Sequence, residues 1–294
     1  LSVSSNGVPN VNTTATVSGI PADWTVDPGF GVYDPATGTW TIVLSGGGDF
    51  NGGPVLYPPH DSDVDLPNLV LTVTNTDIST GLSSSLNGTV NVFVDAIADK
   101  PDLATHNASG LEDTALPVAI NTAVTDTDGS ESITHIVISG VPAGFTLSAG
   151  TDLGGGSYQL TPAQLAGLTM TPPLHYSGSI SLLVTTYNAE TTLSGSEIDP
   201  ADNTNSNSAA LSLSWTPVAD VPTLEVSNAL INEDDPAGPV QLQIAANLVD
   251  NDGSEFLTVT VQGIPAGWTV GLNGGTYDPA TGTWSITLAP GLNF

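Results

Sequence analysis

Three copies of one motif divide this chain, and their spacing limits the folds that are open to it. The motif occurs as GIPADWTV at 19–26, GVPAGFTL at 140–147 and GIPAGWTV at 263–270. A second marker agrees, since AIADKPDL at 96–103 returns as PVADVPTL at 217–224. Both spacings are about 122 residues, the length of one small domain. The sequence therefore predicts a tandem array of related domains.

The linkers of this array lie at Asp99–Pro101 and Asp220–Pro222. They predict three domains, over residues 1–99, 100–220 and 221–294. Only the middle copy is complete: the first copy lacks its opening segment, and Phe294 at the end of the third aligns with Phe50 of the first. We therefore expect the chain to be part of a longer repetitive protein.

Each copy has the pattern of a β-protein. Short runs of Val, Ile, Leu, Thr and Tyr alternate with Gly, Asn, Asp and Pro, as strands alternate with turns. In the middle copy the strands are predicted near 116–120, 132–139, 144–148, 157–160, 167–171, 179–187 and 208–216, with one helical turn at 162–168. Leu211, Leu213 and Trp215 alternate with Ser212 and Ser214, so the two sets are expected on opposite faces of the last strand. Seven or so strands in about 120 residues suit a Greek-key β-sandwich. The predicted fold class is therefore all-β, as tandem Greek-key sandwiches in an extended array.

The repeated motif also predicts a turn and a core position. Gly-Ile/Val-Pro-Ala is typical of a turn, with proline expected at its second position because proline fixes φ there. The aromatic residue that follows stands at the same place in every copy. We expect Trp24, Phe145 and Trp268 to be core anchors between the two sheets.

The charge of the chain limits its partners. Thirty Asp and Glu face one basic residue, Lys100, which gives a formal net charge of −29. Nucleic acid and anionic membrane surfaces are excluded, because both require Lys and Arg to neutralise phosphate. No apolar run approaches a membrane span, so direct membrane insertion is not expected. Repulsion among the carboxylates weakens a compact fold, and Ca²⁺, which prefers carboxylate and carbonyl oxygen, is the expected cofactor that offsets it.

The strongest candidate for a calcium site is an acidic turn. It reads Asp126-Thr-Asp128-Gly-Ser-Glu131 in the middle copy and Asp250-Asn-Asp252-Gly-Ser-Glu255 in the third. Aspartates at i and i+2 can converge on one ion, and glycine permits the tight turn. The turn is too short to fill a calcium shell alone. The alternative is that these are solvated Asp-Gly turns, which β-proteins commonly use.

Further ligands are expected nearby in both copies. Each copy has an acidic pair upstream of the turn, Glu112-Asp113 and Glu233-Asp234, and a linker aspartate, Asp99 or Asp220. A strand of about eight residues between linker and pair would separate them by most of a domain. The linker aspartate can therefore serve the same calcium as the pair and the turn, or a different one.

Two other acidic stretches are less regular. His60-Asp61-Ser-Asp63-Val-Asp65 follows Tyr57-Pro-Pro in the first copy, whereas the middle copy has Leu174-His175-Tyr176-Ser177 after Thr171-Pro-Pro. A cation site there would belong to the first copy only. Glu197-Ile-Asp199-Pro-Ala-Asp202 is expected to be a solvated hairpin loop.

No catalytic motif is present in the sequence. The histidines lack zinc-ligand spacing and receive no role, no GxSxG elbow occurs, and the chain has no Cys for a thiol nucleophile or a disulfide. We do not expect an enzyme.

Taken in order, these segments resemble the repeats of giant bacterial adhesins exported by type I secretion. The order is the linker ADxP, the acidic pair, DxDGSE, G(I/V)PAG(F/W)T, then YDPATGTW or GGGSYQLT, and TPP. The resemblance implies Ig-like or cadherin-like sandwiches of the RTX-type and biofilm-associated proteins, a cell-surface location and calcium at domain junctions. It implies these calcium ligands: Glu112, Asp113, Asp126, Asp128 and Glu131 in the middle copy, and Glu233, Asp234, Asp250, Asp252 and Glu255 in the third. The first copy has no acidic turn before GIPADWTV, so no such site is expected there.

Three functions remain open at this point. The leading one is a structural spacer whose partners are neighbouring repeats of the same chain, made rigid by calcium. The second is a module that binds a cell-surface sugar or protein through the HDSDVD loop of the first copy. The third is self-association into a fibre or surface layer through strand edges.

Overall fold

The computed structural model describes residues 1–3, 10–126, 128–190, 201–233 and 239–294. It confirms the predicted all-β fold class, because strands follow one another from one end of the chain to the other. The described residues contain no α-helix, and their one 3-10 turn, Pro162–Leu165, falls within the predicted helical turn. Nothing helical in these ranges is long and apolar enough to cross a lipid bilayer.

The chain divides into two compact units, and the repeats do not mark their limits. The first unit comprises residues 1–102, 122–134 and 186–207, and the second comprises 103–121, 135–185 and 208–294. Each unit includes part of the middle copy. The repeat-based domain boundaries and the units are therefore two different divisions of the chain, and the boundaries stay a prediction.

The first copy forms a two-layer sandwich within the first unit. Its strands are β1 (Ser2–Val3), β2 (Val11–Ser18), β3 (Thr25–Asp27), β4 (Val32–Asp34), β5 (Thr39–Leu44), β6 (Phe50–Asn51), β7 (Val55–Tyr57), β8 (Leu66–Asp77) and β9 (Ser83–Val92). One layer is an antiparallel sheet in the order β4-β5-β2-β8-β9, and the other consists of the pairs β1-β6 and β3-β7. Alternate residues of β2, including Ala15 and Val17, are buried with Trp40 and Leu69 between the layers. The period-2 pattern of the strand thus creates the core.

The middle copy supplies eleven strands. They are β10 (Asp102–His106), β11 (Ala108–Leu111), β12 (Leu116–Pro117), β13 (Ala119–Ala123), β14 (Glu131–Ser139), β15 (Thr146–Leu147), β16 (Thr151–Gly154), β17 (Ser157–Leu160), β18 (Thr169–Thr171), β19 (Gly178–Glu190) and β20 (Thr204–Thr216). A six-stranded sheet has the order β11-β20-β19-β14-β17-β16, and a smaller one the order β12-β18-β15. In β20 the buried residues are Leu211, Leu213 and Trp215, which confirms the predicted alternation.

The third copy supplies five strands. They are β21 (Thr223–Val226), β22 (Ile244–Asn247), β23 (Thr258–Val261), β24 (Thr276–Asp278) and β25 (Thr283–Thr287). They pair as β21-β22 and β23-β25-β24. A small core packs around Trp284 and Val259.

The repeated tetrapeptide forms the same turn in each copy. The N–H groups of Trp24, Phe145 and Trp268 donate to the carbonyl oxygens of Pro21, Pro142 and Pro265, at 3.2, 3.3 and 3.3 Å. The proline is therefore the first residue of the turn, not the second as expected. In the first copy, the residue before this proline is Ile20, and its N–H donates to the carbonyl oxygen of Gly38 at 3.1 Å. Gly38 has φ +60°, and a Cβ there would lie 2.3 Å from the carbonyl oxygen of Ile20, so glycine is required.

Two of the three aromatic anchors are core residues. Trp24 is 6% exposed and Phe145 is 5% exposed, but Trp268 is 59% exposed, so that expectation was wrong for the third copy. Phe145 packs against Tyr176 and Trp215, with ring centroids 4.9 and 5.5 Å away. Both partners follow Phe145 in the middle copy, so its burial depends on residues that come later in the same copy.

Candidate functional site

The acidic turn has the same hydrogen-bond pattern in both copies, as far as its described residues show. Its first aspartate accepts a hydrogen bond from the N–H of the second, at 2.7 Å for Asp126 and Asp128 and at 2.8 Å for Asp250 and Asp252. The second aspartate then accepts from the serine N–H, at 2.8 and 2.7 Å. Gly129 and Gly253 have φ of +96° and +91°. Glycine therefore makes the reversal possible in each turn, as the sequence predicts.

The linker aspartates meet the last residue of these turns through their main chain. The N–H of Asp99 donates to the carboxylate of Glu131, and the N–H of Asp220 donates to Glu255 Oε1 at 2.6 Å. The same contact thus occurs at both linkers. In each case it connects the end of one copy to the acidic turn of the next copy.

Three carboxylates of the first unit form cluster 1, which we define as Asp126, Glu131 and Glu190. One oxygen of each lies within 4.8 Å of the others. Asp126 and Glu131 are buried, and Glu190 is half-buried. Asn188 supports the cluster, because its Nδ2 donates to Glu131 Oε2 at 3.2 Å and to the carbonyl oxygen of Asp99 at 2.7 Å.

Three carboxylates of the second unit form cluster 2, which we define as Glu112, Asp250 and Asp252. One oxygen of each again lies within 4.8 Å of the others. Glu112 and Asp250 are buried, whereas Asp252 is exposed. Glu112 Oε1 accepts the N–H of Val218 in the linker region.

The grouping differs from the one that the sequence suggested. Glu112 was expected beside the turn of its own copy, but it lies with the turn of the third copy. Asp113 accepts the N–H of His175 at 2.7 Å. Glu233 is exposed, and Asp234 lies outside the described residues, as do Glu197 and Asp199. Glu112, the first residue of its acidic pair, therefore lies with the turn of the following copy.

A loop from the preceding copy reaches each acidic turn. The first loop, residues 58–63, borders a cavity together with Asp126 and Glu190. The second loop, residues 172–177, contacts cluster 2, because the N–H and Oγ of Ser177 donate to Asp252 Oδ2 at 3.1 and 2.6 Å. In the same loop His175 Nδ1 lies 2.8 Å from Asp220 Oδ2. The two loops occupy corresponding positions after Pro-Pro in the sequence.

The two clusters differ in electrostatics. Burial raises the pKa of all three carboxyls of cluster 1, and neighbouring negative charges, including Asp61 beside Asp126, add to the rise. Hydrogen bonds from the side chains of Ser177 and Ser254 instead hold the pKa of Asp252 well below its usual range. Ionisation of all three carboxyls of cluster 1 is therefore unfavourable, whereas hydrogen bonds stabilise the ionised form of Asp252 in cluster 2.

Both clusters fit a hard divalent cation. Oxygen atoms bound to one Ca²⁺ at about 2.4 Å lie at most about 4.8 Å apart, and one oxygen of every carboxylate in each cluster lies within 4.8 Å of the others. Buried oxygens also lack protein donors: within the described ranges, no hydrogen-bond partner faces Oε2 of Glu112, of Glu190 or of Glu255. A buried carboxylate oxygen without a donor is costly unless a cation or proton occupies the space beside it.

Four contributors were not anticipated from the sequence. Asn188 and Glu190 lie just after the strand predicted at 179–187 and were given no role, and His175 and Ser177 were given none either. A signal for the first two exists, because TYNAE at 186–190 aligns with VTNTD at 73–77, so that both copies have an amide followed two residues later by an acid. The loop residues could have been found from their position after Pro-Pro, where the first copy has acids.

The sequence matches no family model and no curated protein. Among solved structures the chain is similar to domains 1–6 of the surface layer protein SbsC (11% identity, TM-score 0.26), covering 92% of this chain but only 29% of that one. It is similar to the Escherichia coli adhesin FdeC (16%, TM-score 0.24; 97% and 79% covered). It is also similar to EC1-2 of chicken VE-cadherin (14%, TM-score 0.22; 73% and 88% covered). The fold assignment rests on the strands of the chain itself.

Proposed function

We propose that this chain is a structural spacer of an extracellular bacterial surface protein, an adhesin or filament, in which Ca²⁺ stiffens the joints between β-sandwich repeats. The role is non-enzymatic. The observation that carries the proposal is cluster 2, where buried Glu112 from the middle copy comes together with Asp250 and Asp252 from the third. A cation held there would bind residues from both sides of a linker.

The balance of charge supports an external cation. The chain has 30 acidic residues and one basic residue, and every ion pair among the described residues uses a histidine. Two carboxylates about 4.8 Å apart repel each other by roughly 3 kcal/mol at an effective dielectric constant of 20. A divalent cation converts this repulsion into attraction, and calcium is the hard cation that tolerates irregular shells of carboxylate oxygen.

The recurrence of the linker contact supports a mechanical role. Each linker donates an N–H to the glutamate of the following turn, and Asn188 adds a second link through the carbonyl oxygen of Asp99. Because the linker is already bonded to the cation ligands, occupation of the cluster would restrain the linker as well. The resemblance to repeats of type I-secreted adhesins points the same way, and it supports a cell-surface location.

Thermal melting and small-angle scattering test this function. Millimolar calcium should raise the melting temperature and extend the maximum dimension of the chain, and a chelator should reverse both effects. A ligand at 100 times its dissociation constant adds about 2.7 kcal/mol to stability. Magnesium at equal concentration controls for screening. The double variant E112Q/D250N should lose part of the gain, whereas D34N/D278N, which alters two exposed turn aspartates outside the clusters, should keep it.

If neither the melting temperature nor the maximum dimension responds to calcium in the wild-type chain, the calcium-stiffened spacer is wrong. The ligand-binding module and the self-associating fibre would then be the functions to pursue. The position of Asp61 and Asp63 beside other carboxylates favours a cation over a sugar at that loop.

A further inference from the structure

We propose that the linker between the first and middle copies is a fixed joint that needs no cation, because uncharged side chains of the middle copy hold its main chain. We define linker 1 as residues 98–102. The inference goes beyond the proposed function and does not rest on it, since it concerns the chain without calcium. A cation at cluster 1 would act on a linker that is already restrained.

Every carbonyl oxygen of linker 1 accepts a side-chain hydrogen bond. Those of Ala98, Asp99 and Pro101 accept from asparagine amides, at 2.9, 2.7 and 2.9 Å. Those of Lys100 and Asp102 accept from threonine hydroxyls, at 3.1 and 2.9 Å. In the same order, the donors are Asn205, Asn188, Asn207, Thr125 and Thr122. Five different side chains therefore satisfy five consecutive main-chain acceptors.

The donors come from separate elements of the middle copy. Thr122 lies in β13, Asn188 in β19, and Asn205 and Asn207 in β20, whereas Thr125 directly precedes the acidic turn. The bonds join residues that are 20 to 107 positions apart in the sequence. Linker 1 and all five donors belong to the first compact unit. Movement of linker 1 therefore requires contacts with several elements to break together.

The burial of linker 1 is also unusual for a connection between domains. Domain boundaries usually lie in exposed, flexible segments that few contacts cross. Here Ala98 is 2% exposed and Pro101 is buried as well. The N–H of Ala98 also donates to the carbonyl oxygen of Asp202, at 2.9 Å. The connecting segment thus packs as part of the fold.

The chemistry of the donors makes these bonds independent of cations. The amide of Asn and the hydroxyl of Thr carry no charge, so neither pH nor salt changes their ability to donate. Asn188 also donates to Glu131 of cluster 1, at 3.2 Å. The other four donors reach the linker without the help of a carboxylate. Removal of calcium should therefore leave most of the contacts in place.

The threonine contacts are specific to this joint and are not a property of the repeat. Counted from the acidic turn, the residues of the third copy that correspond to Thr122 and Thr125 are Ala246 and Val249. Neither side chain contains a hydrogen-bond donor. The second linker therefore cannot be held by these two bonds.

A spin label on linker 1 tests the inference in the full chain. The chain has no Cys, so Lys100→Cys provides one labelling position at an exposed side chain. In chelator, electron paramagnetic resonance should show restricted nanosecond motion of the label, and millimolar calcium should leave the spectrum unchanged. In the same background, T125V/N207A removes the donors to Lys100 and Pro101. It should narrow the spectral lines in chelator, because the main chain of the linker then moves faster.

The matched control is T185V/N121A, which makes the same two exchanges away from linker 1. It removes the bond between Thr185 and Ser208 at 2.9 Å and the bond between Asn121 and His106 at 3.3 Å. The label should keep the spectrum of the parent chain. Circular dichroism and thermal melting show whether both double variants fold.

The outcomes separate this inference from the proposed function. If the label moves freely in chelator and calcium restricts it, linker 1 is not a fixed joint, whereas the proposed function is supported. If T125V/N207A leaves a restricted label unchanged, or if the control narrows the lines equally, the side-chain bonds do not hold the linker and the inference is wrong. Should T125V/N207A not fold, Thr125→Val alone decides the matter, because Thr125 is exposed and its exchange leaves the core intact.

Discussion

Clusters 1 and 2 have the same acidic turn and the same linker contact, yet their surroundings differ. Around cluster 1 the neighbours are further acids, and burial raises the pKa of its carboxyls. Around cluster 2 they include Ser177, whose hydroxyl lowers the pKa of Asp252. The turn therefore provides a scaffold, and residues from the preceding copy determine how much negative charge it has to hold.

The loops that bring these neighbours are also anchored differently. Tyr176, in the middle of the second loop, packs edge-on against Phe145 and Trp215, with centroids 4.9 and 5.9 Å away. The corresponding residue of the first loop is Ser62. An aromatic cluster thus holds one loop to the core, whereas the other depends on hydrogen bonds and on any bound cation.

The largest expected effect follows from this anchor. Tyr176→Ala removes a half-buried ring from the aromatic cluster and should lower the free energy of unfolding by about 2–4 kcal/mol. It should also strengthen calcium binding at cluster 2, because the released loop no longer donates the N–H and the hydroxyl of Ser177 to Asp252. Ser62→Ala is the matched control and should stay within about 0.5 kcal/mol. Calorimetry and calcium titration measure both quantities; equal effects of the two variants would show that the loops are anchored alike.

The next effect compares the two glutamates that accept the linker N–H. Glu131→Ala leaves the Asp99 N–H without an acceptor and removes one of the two acceptors of the Asn188 amide, and should cost about 2–3 kcal/mol. Glu255→Ala leaves only the Asp220 N–H and should cost about 1–2 kcal/mol. Urea unfolding in calcium measures the difference, with Glu131→Gln as the variant that retains an acceptor. A larger cost for Glu255→Ala would contradict the assigned contacts.

In metal-free buffer, the contributions of the two clusters to the stability of the fold should change with pH in opposite directions. The pKa of Asp126 is raised in the folded state, so the folded chain binds a proton there more readily than the unfolded chain does. Ionised Asp126 therefore destabilises the fold at pH 7, and this destabilisation is lost as the pH falls toward 4. Asp252, whose pKa is lowered, contributes stability above its ordinary value of 3.8 that is lost below it. We expect the melting temperature to rise on mild acidification and to fall below pH 4.

Two comparisons check that assignment. Asp126→Asn should diminish the rise, because it removes one of the buried acids. Saturating calcium should abolish or invert the rise, since protons then compete with the cation for the same oxygens. A melting temperature that falls steadily from pH 7 in metal-free buffer would show that cluster 1 carries no excess of negative charge.

The strands could be predicted from the sequence because their signals are local. The alternation of Leu211, Leu213 and Trp215 with serines is a property of one strand, and it is buried as expected. The turn also depends on neighbours in sequence, since Gly129 and its aspartates lie within a few residues. Such features require no knowledge of what packs against them.

The grouping of ligands could not be predicted, because it depends on contacts between copies. Glu112 lies 138 positions before Asp250 in the chain, and only packing of the linker brings them within 4.8 Å. Phe145 shows the same limit in the core, since the rings that cover it, Tyr176 and Trp215, come 31 and 70 positions later in the sequence. Glu190 is instructive as well: its counterpart Asp77 binds the N–H groups of Ser79 and Thr80 in a hairpin turn, so equivalent positions perform different tasks.

The smallest effect isolates the hydroxyl that distinguishes cluster 2. Ser177→Ala removes the donor 2.6 Å from Asp252 Oδ2 but keeps the N–H that also donates to it. Because Asp252 is exposed, screening limits the loss of stability to about 0.5–1 kcal/mol. The freed carboxylate should have a higher pKa and should bind calcium more tightly, since it no longer shares its charge with the hydroxyl.

Nuclear magnetic resonance titration of the Asp252 carboxyl measures the pKa, and calorimetry measures the affinity. Ser254→Ala, which removes the hydroxyl that donates to Asp250 at 3.1 Å, is the control within the turn itself. If Ser177→Ala leaves the pKa of Asp252 unchanged, the neighbouring loop is not what separates the two clusters.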